Sequence, residues 1–203
     1  VTFGNRGYLE YLDSFRYPLA GECAMSTDVA ETLRVPSDWG FEIGVLAEVY
    51  RHFPTTRVCQ VDVASGYDHK HRELSADDPM AGLHRMSADI ARAIYRKLAI
   101  GGVVLSVEGF RSLEAAYDRT ALDLIDRYEA DARFNGMAYD RHAEESAVQV
   151  FAQSVVRAGQ EFLDDPLETS FIPSWSRVRS ELPDLPERLV AAVEADHHEV
   201  SGH

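Results

Sequence analysis

The second half of the chain constrains the fold most, because two long stretches have the spacing of amphipathic helices. Over residues 111–133 and 138–162, apolar side chains recur every three or four positions, with charged side chains between them. A similar stretch covers residues 80–98. The pattern predicts long helices that each bury one face, and therefore a mostly helical second half.

The first half predicts shorter and more varied elements. We expect helices over residues 26–33 and 40–52, and a strand over residues 57–63, which are rich in β-branched side chains. A last helix is expected over residues 186–196. No run of alternating strands and helices occurs, and no glycine-rich phosphate loop, so a nucleotide-binding half of the usual kind is not expected here. The predicted class is α/β, mostly helical in this segment.

Composition and charge exclude several classes of function. The 203 residues are 45% hydrophobic with a net charge of −14, as in a globular chain with one sizeable core or two small ones. Such acidity argues against binding to nucleic acid or to anionic membranes. No apolar run could span a bilayer. Cys23 and Cys59 are too far apart in sequence for a metal or redox motif, and a reducing cytoplasm is the simpler interpretation, although one disulfide stays open.

The sharpest local motif follows the predicted strand. His69 and His71 are two residues apart, so in an extended segment both would face the same side. Imidazoles bind divalent metals when neutral and suit phosphate when protonated. A solvated polar loop with no function is the alternative, and a metal site would need at least one further ligand.

Glu42 and Gly21 are the other candidates. Glu42 lies in the first turn of the predicted helix, beside Trp39, with Ser37 or Asp38 as the cap. It could suit the positive end of the helix dipole, or it could project into a cleft and hold a sugar hydroxyl. Gly21 would allow a ligand to approach the backbone, or it could simply form a turn.

Taken in order, several segments resemble the glucosyl-3-phosphoglycerate synthases, which are retaining GT-A glycosyltransferases related to the mannosyl-3-phosphoglycerate synthases. Ordered agreement at separated motifs is more specific than any one motif. The segments that carry the resemblance are residues 18–22 (PLAGE), 38–46 (DWGFEIGVL), 60–63 (QVDV), 68–71 (DHKH), 135–142 (NGMAYDRH) and 172–175 (IPSW).

The resemblance implies a role for each matching residue. His69 matches the histidine that, with an Asp-x-Asp motif, binds the divalent metal (Mg²⁺ or Mn²⁺) that holds the sugar-nucleotide diphosphate. The donor-sugar site matches Leu19, Gly21, Trp39 and Glu42, with Glu42 as the catalytic candidate. Tyr67 and His71 would contact the acceptor, although some members have Arg and Asn there. The Asp-x-Asp motif is missing, so we expect the C-terminal part of such an enzyme, inactive by itself.

The expected function is transfer of glucose, or of mannose, from a sugar nucleotide to 3-phosphoglycerate in the cytoplasm. Residues 1–103 would complete the GT-A catalytic domain, and residues 104–203 would form a helical extension. We expect its leftover apolar stripes to be buried in a homodimer, with a self-contained bundle as the alternative. Glu42 could be a nucleophile, or the acceptor could attack on the leaving-group side, which we favour. A non-catalytic helical interaction module is the alternative function, and a histidine-based metallohydrolase ranks last.

Overall fold

The structure is a computed structural model, and it describes residues 7–63, 82–167 and 171–201. Within these residues the chain is mostly helical, as the sequence predicted. The helices are α1 (Gly7–Asp13), α2 (Thr27–Thr32), α3 (Phe41–His52), α4 (Gly82–Ile100), α5 (Val107–Phe134), α6 (Arg141–Asp164), α7 (Trp175–Glu181) and α8 (Leu185–Ser201), with a 3-10 turn at Thr55–Arg57.

Helix α4 is the centre of the fold because both of its faces are packed. One face carries Ala88, Ala91 and Tyr95 into a core shared with α5 and α6. The other face packs Ile90 and Ile94 against a second core that α1 and α3 build. The three-and-four spacing predicted one buried face for this helix, whereas the structure buries two.

Helices α5 and α6 form a hairpin, and a side chain caps the N-terminus of each helix. The Ser106 hydroxyl accepts a hydrogen bond from the Gly109 N–H at 3.1 Å, and Asp140 accepts one from the Ala143 N–H at 3.0 Å. Gly159 lets α6 come close to the ring of Phe110, because a Cβ added at Gly159 would lie 2.6 Å from that ring. These caps fix where both long helices begin.

The second core holds α3 in place. Tyr8, Tyr11 and Ile43 are buried there, and the Tyr8 hydroxyl donates to the Ile43 carbonyl at 3.3 Å. From α4, the Lys97 ammonium donates to the Ala47 carbonyl at 3.0 Å. Helix α3 is therefore attached both to α1 and to α4.

Two short strands connect distant parts of the chain. β1 (Val35–Pro36) pairs antiparallel with β2 (Phe171–Ile172), and they are the sheet of the described residues. Nearby, the Arg179 guanidinium contacts the Glu31 carboxylate at 2.7 Å, which joins α7 to α2. The segment after α6 thus returns to the region in front of α3.

The predicted strand over residues 57–63 is wrong as a paired strand. Residues 55–57 form the 3-10 turn, Val58 has an extended backbone, and residues 58–63 have no strand partner among the described residues. Valine-rich sequence favours an extended backbone, but a strand also needs a neighbour to bond to, and the described residues do not supply one.

Helix α8 lies outside both cores. The described side chains from Glu187 to His197 are exposed, including those of Val190 and Val193. In the parts of the chain that the structure covers, no helix is both long and apolar enough to cross a bilayer.

Candidate functional site

The turn that begins α3 is rigidly placed. The Asp38 carboxylate accepts a hydrogen bond from the Gly40 N–H at 2.8 Å, and the Asp38 carbonyl accepts one from the Phe41 N–H at 3.2 Å. A Cβ at Gly40 would lie 2.7 Å from the Ala93 Cβ and 3.2 Å from the Asp89 carbonyl oxygen. The turn therefore lies directly on α4, and only glycine permits so close an approach.

Trp39 and Glu42 flank this turn. The Trp39 side chain is 37% exposed, and Glu42 is half-buried in the first turn of α3. The unpaired N–H groups of a helix N-terminus favour a negative charge at this position. The turn thus carries an aromatic side chain and a carboxylate three residues apart. An aromatic face suits the apolar C–H face of a sugar ring, and a carboxylate accepts hydrogen bonds from its hydroxyls.

A cluster of charged side chains from α4 lies beneath the turn. Asp89 is only 2% exposed; Arg92 hydrogen-bonds to it, and the Arg85 Nε lies 3.7 Å from its Oδ2. The other side of Arg92 faces Glu161 of α6, with 3.4 Å between Nη1 and Oε2. The cluster connects the helix beneath the site to the α5–α6 hairpin.

Burial changes the acidity of Asp38. Loss of solvent raises the pKa of its carboxyl group above the ordinary value, and the nearby Asp89 charge adds to this, while the Gly40 N–H, Arg92 and Arg96 act in the opposite direction. The sequence predicted Ser37 or Asp38 as the cap of α3, and this is wrong: the cap residue is Gly40, without a side-chain cap bond. The contact of Asp38 with α4 depends on tertiary packing. The one sequence signal for a charged cluster there is the spacing of Arg85, Asp89 and Arg92 along a helix.

The other two predicted donor-site residues, Leu19 and Gly21, have no described contact with Trp39 or Glu42. Leu19 packs against the second core, which also contains Ile43, the neighbour of Glu42. Gly21 lies in an exposed loop, and nothing lies within 4 Å of a Cβ added there. The structure therefore links Leu19 to α3 through one core, while Gly21 has no described contact with Trp39 or Glu42.

Three of the predicted site residues lie outside the described residues: Tyr67, His69 and His71. Over residues 7–63, 82–167 and 171–201, no group of three or more His, Cys, Asp or Glu side chains could hold a metal ion. The described part of the site thus provides the sugar-binding candidates, and the metal candidate belongs to the segment beyond it.

A separate cavity of about 460 Å³ lies between α1 and residues 55–60. Tyr11, Tyr50, Val58 and Gln60 are among its lining residues, and Trp39 and Glu42 are not. It was not expected from the sequence, because it forms between elements that are far apart along the chain.

Two curated proteins are similar to this chain over nearly all of its length. One is a glucosyl-3-phosphoglycerate synthase from Persephonella marina, 41% identical over 96% of the chain. The other has the same name, comes from Methanococcoides burtonii, and is 42% identical over 95% of the chain. This chain is homologous to part of glucosyl-3-phosphoglycerate synthase.

The chain spans about half the length of these relatives, 48% and 47% respectively. No protein-family model matches it, and no solved structure matches it. The similarity to glucosyl-3-phosphoglycerate synthase confirms the resemblance that the ordered motifs indicated.

Proposed function

We propose that the chain supplies the sugar-binding and acceptor-binding part of a retaining glycosyltransferase. This enzyme would transfer glucose, or mannose, from a sugar nucleotide to 3-phosphoglycerate. One observation carries the proposal: 41% identity over 96% of the chain to a glucosyl-3-phosphoglycerate synthase. The placement of Trp39 and Glu42 on a turn fixed against α4 supports it.

The donor sugar would lie against α3. Trp39 would cover one face of the ring, Leu19 and Gly21 would border it, and the Glu42 carboxylate would accept hydrogen bonds from sugar hydroxyls. A hydrogen bond to a charged acceptor is worth about 1.5–3 kcal/mol, so Glu42 would position the sugar strongly. Because the turn is packed on α4, little ordering would be required when the sugar binds.

His69 would hold Mg²⁺ or Mn²⁺ together with ligands from elsewhere, and Tyr67 and His71 would contact the acceptor. The metal, when bound, would neutralise the negative charge that develops on the diphosphate leaving group. Because imidazole suits several divalent ions, His69 alone does not select between the two metals.

Transfer with retention would proceed on one face of the sugar. The bond from the anomeric carbon to the diphosphate oxygen breaks, and a bond to the acceptor oxygen forms on the same side. The acceptor proton passes to the departing phosphate. In this scheme Glu42 binds the sugar and forms no covalent bond.

The proposal extends to the organisation of the chain. Residues 1–103 would complete a GT-A catalytic domain, and residues 104–203 would form a helical region that makes a homodimer. The acidic net charge of −14 fits an enzyme that binds neither nucleic acid nor membranes. We place such an enzyme in the cytoplasm.

A chimera tests the function directly. This chain would replace the matching half of the Persephonella marina relative, and transfer of labelled hexose from UDP-glucose, GDP-glucose and GDP-mannose to 3-phosphoglycerate would be measured. We expect transfer from at least one donor. No transfer by a folded chimera, under conditions where the intact relative is active, would favour the non-catalytic interaction module instead.

Glu42→Gln in the chimera tests the assigned role. Loss of one charged hydrogen bond should lower kcat/KM about 10- to 100-fold, mainly through weaker donor binding. Glu48→Gln, on the same helix but bound to Arg51 and His52, is the matched control and should change kcat/KM little. A fall of several orders of magnitude in kcat would instead make Glu42 a nucleophile.

A further inference from the structure

Residues 172–175 (IPSW) carry part of the resemblance, and the proposed function assigns them no role. In the structure they belong to a segment, residues 171–179, that returns from the α5–α6 hairpin to the residues in front of α3. This segment contains β2 and most of α7, and we call it the strap. Its contacts lead to the turn that carries Trp39 and Glu42.

The strap holds the chain in front of α3 at two points. At one point β2 pairs with β1, so that Phe171 lies opposite Pro36. At the other, the Arg179 guanidinium contacts the Glu31 carboxylate at 2.7 Å, and the Ser176 hydroxyl donates to the Glu31 carbonyl at 2.8 Å. Both contacts join residues more than a hundred positions apart, so they fix one part of the fold against another.

Pro36 connects the strap to α3. Pro36 is buried, and a Cβ added at Gly44 would lie 2.9 Å from its Cγ and closer still to its Cδ. Gly44 lies one turn of α3 after Gly40, which rests on α4 in the same close way. The first turn of α3 is thus held between β1 and α4, and Glu42 lies midway between the two glycines along the chain.

Arg96 of α4 provides a second connection. Its guanidinium carbon lies 5.1 Å from the centre of the Phe171 ring, within the range of a cation–π contact. Arg96 is only 9% exposed, and it also acts on the donor-site turn: burial raises the pKa of Asp38, and the charge of Arg96 opposes this increase. One buried arginine therefore lies near both the strap and the turn.

We propose that the strap positions the donor-sugar turn, so that Phe171 and Arg179 affect sugar binding without touching the sugar. Binding groups that are held in place before the ligand arrives lose less freedom when it binds. Trp39 and Glu42 lie on one turn, and a shift of β1 would therefore displace both of them. This role deepens the proposed function and rests on it for the identity of the ligand.

The double variant Phe171→Ala/Arg179→Ala removes the ring from Arg96 and the guanidinium from Glu31. Both changes are made together because an exposed ion pair or a single cation–π contact is weak alone. Arg177→Ala is the matched control, since Arg177 lies on the same helix and bonds to Glu181 within α7, at 3.0 Å.

Amide hydrogen exchange of the full 203-residue chain tests the contacts without any substrate. The Phe41 and Gly44 N–H groups, which bond to the carbonyls of Asp38 and Gly40, should exchange at least about fivefold faster in the double variant. Arg177→Ala should leave them at the wild-type rate, and amides of α6 should keep their rates in both variants.

Two outcomes of the exchange measurement would overturn the proposal. Unchanged rates at Phe41 and Gly44 would mean that α4 alone holds the turn. Rates that increase equally in α3 and α6 would mean that the strap stabilises the whole fold and does not act on the turn in particular.

Steady-state kinetics of the chimera test the consequence for the sugar. The double variant should raise the KM for the sugar nucleotide about 3- to 10-fold and leave the KM for 3-phosphoglycerate unchanged. Phe171→Ala/Arg179→Lys keeps a positive donor for Glu31 and should recover part of the loss, and Arg177→Ala should match the wild type.

An unchanged KM for the sugar nucleotide, or an equal rise for both substrates, would refute the positioning role. A chimera that transfers sugar from no donor would count against the proposed function only, because the exchange rates at Phe41 and Gly44 decide the role of the strap independently of activity.

Discussion

Gly159 lies where α6 crosses α5, and its missing side chain is what allows the contact. A Cβ there would lie 2.6–2.8 Å from three ring atoms of Phe110, which is itself 3% exposed and cannot move aside cheaply. We expect Gly159→Ala to destabilise the chain by about 1–3 kcal/mol through overpacking, measured by urea unfolding.

Gly109→Ala is the control for this substitution. It also lies in a helix, but its added Cβ would meet Ser106 Oγ at 3.6 Å, an ordinary contact. Alanine should therefore be neutral there or should stabilise the helix by about 0.5–1 kcal/mol. If both variants lost the same stability, the close packing of α6 on Phe110 would be refuted.

Asp38 gives a pH dependence with a definite sign. Its pKa is raised from 3.8, so the folded state holds the proton more tightly than the unfolded state does. Ionisation of Asp38 therefore lowers the free energy of unfolding as the pH rises above about 4. Asp38→Asn keeps an acceptor for the Gly40 N–H and does not ionise, so it should gain stability over the wild type between pH 4 and 7.

Asp38→Ala separates the charge from the hydrogen bond. This variant also removes the charge, but it leaves the Gly40 N–H without its acceptor, which costs about 0.5–2 kcal/mol. Urea unfolding at both pH values should therefore rank Asn above Ala at each. A wild type that gains stability over Asp38→Asn as the pH rises would show that the arginines outweigh burial.

At the scale of elements, the caps of the long helices are testable. Ser106 bonds the Gly109 N–H at the start of α5, whereas Ser174, at the start of α7, makes no such bond. Ser106→Ala should cost about 1 kcal/mol and Ser174→Ala clearly less, by urea unfolding. Similar losses at the two positions would mean that the Ser106 cap does not stabilise α5.

The helices could be predicted from the sequence because their signals are local. Periodicity predicted helices over 26–33 and 40–52, and the structure has Thr27–Thr32 and Phe41–His52, although neither helix has a side-chain cap bond. The strand over 57–63 could not be judged in this way, because valines do not reveal whether a neighbouring strand exists. The pairing of β1 with β2 joins residues more than a hundred positions apart and leaves no local signal.

The candidate site also combines residues that local sequence signals predict with contacts that depend on tertiary packing. Trp39 and Glu42 were predicted because they lie at the start of a strongly periodic helix. The support beneath them, in which Asp38 and Gly40 lie against Asp89, depends on α4 packing against α3, and the charge spacing on α4 does not by itself predict that contact. Leu19 was predicted through the resemblance, and its packing in the core of α3 is an outcome of the fold.

At the scale of the whole molecule, apolar side chains are exposed at the end of the hairpin where α5 ends and α6 begins. No described element covers them. Phe134 is 90% exposed, Met137 60% and Tyr128 58%. We propose that these exposed apolar residues form the contact surface of the homodimer that the leftover stripes predicted. Sedimentation at micromolar concentration should therefore show a dimer.

Phe134→Asp tests whether this end of the hairpin is the contact, because a carboxylate in an apolar interface is strongly disfavoured. The variant should shift the chain towards monomer. Val104→Asp is the control: Val104 is 91% exposed but lies before α5, about 40 Å from Phe134 along a 28-residue helix. A wild-type monomer would refute the dimer, and a dimer that tolerates Phe134→Asp but not Val104→Asp would move the contact to the other end of α5.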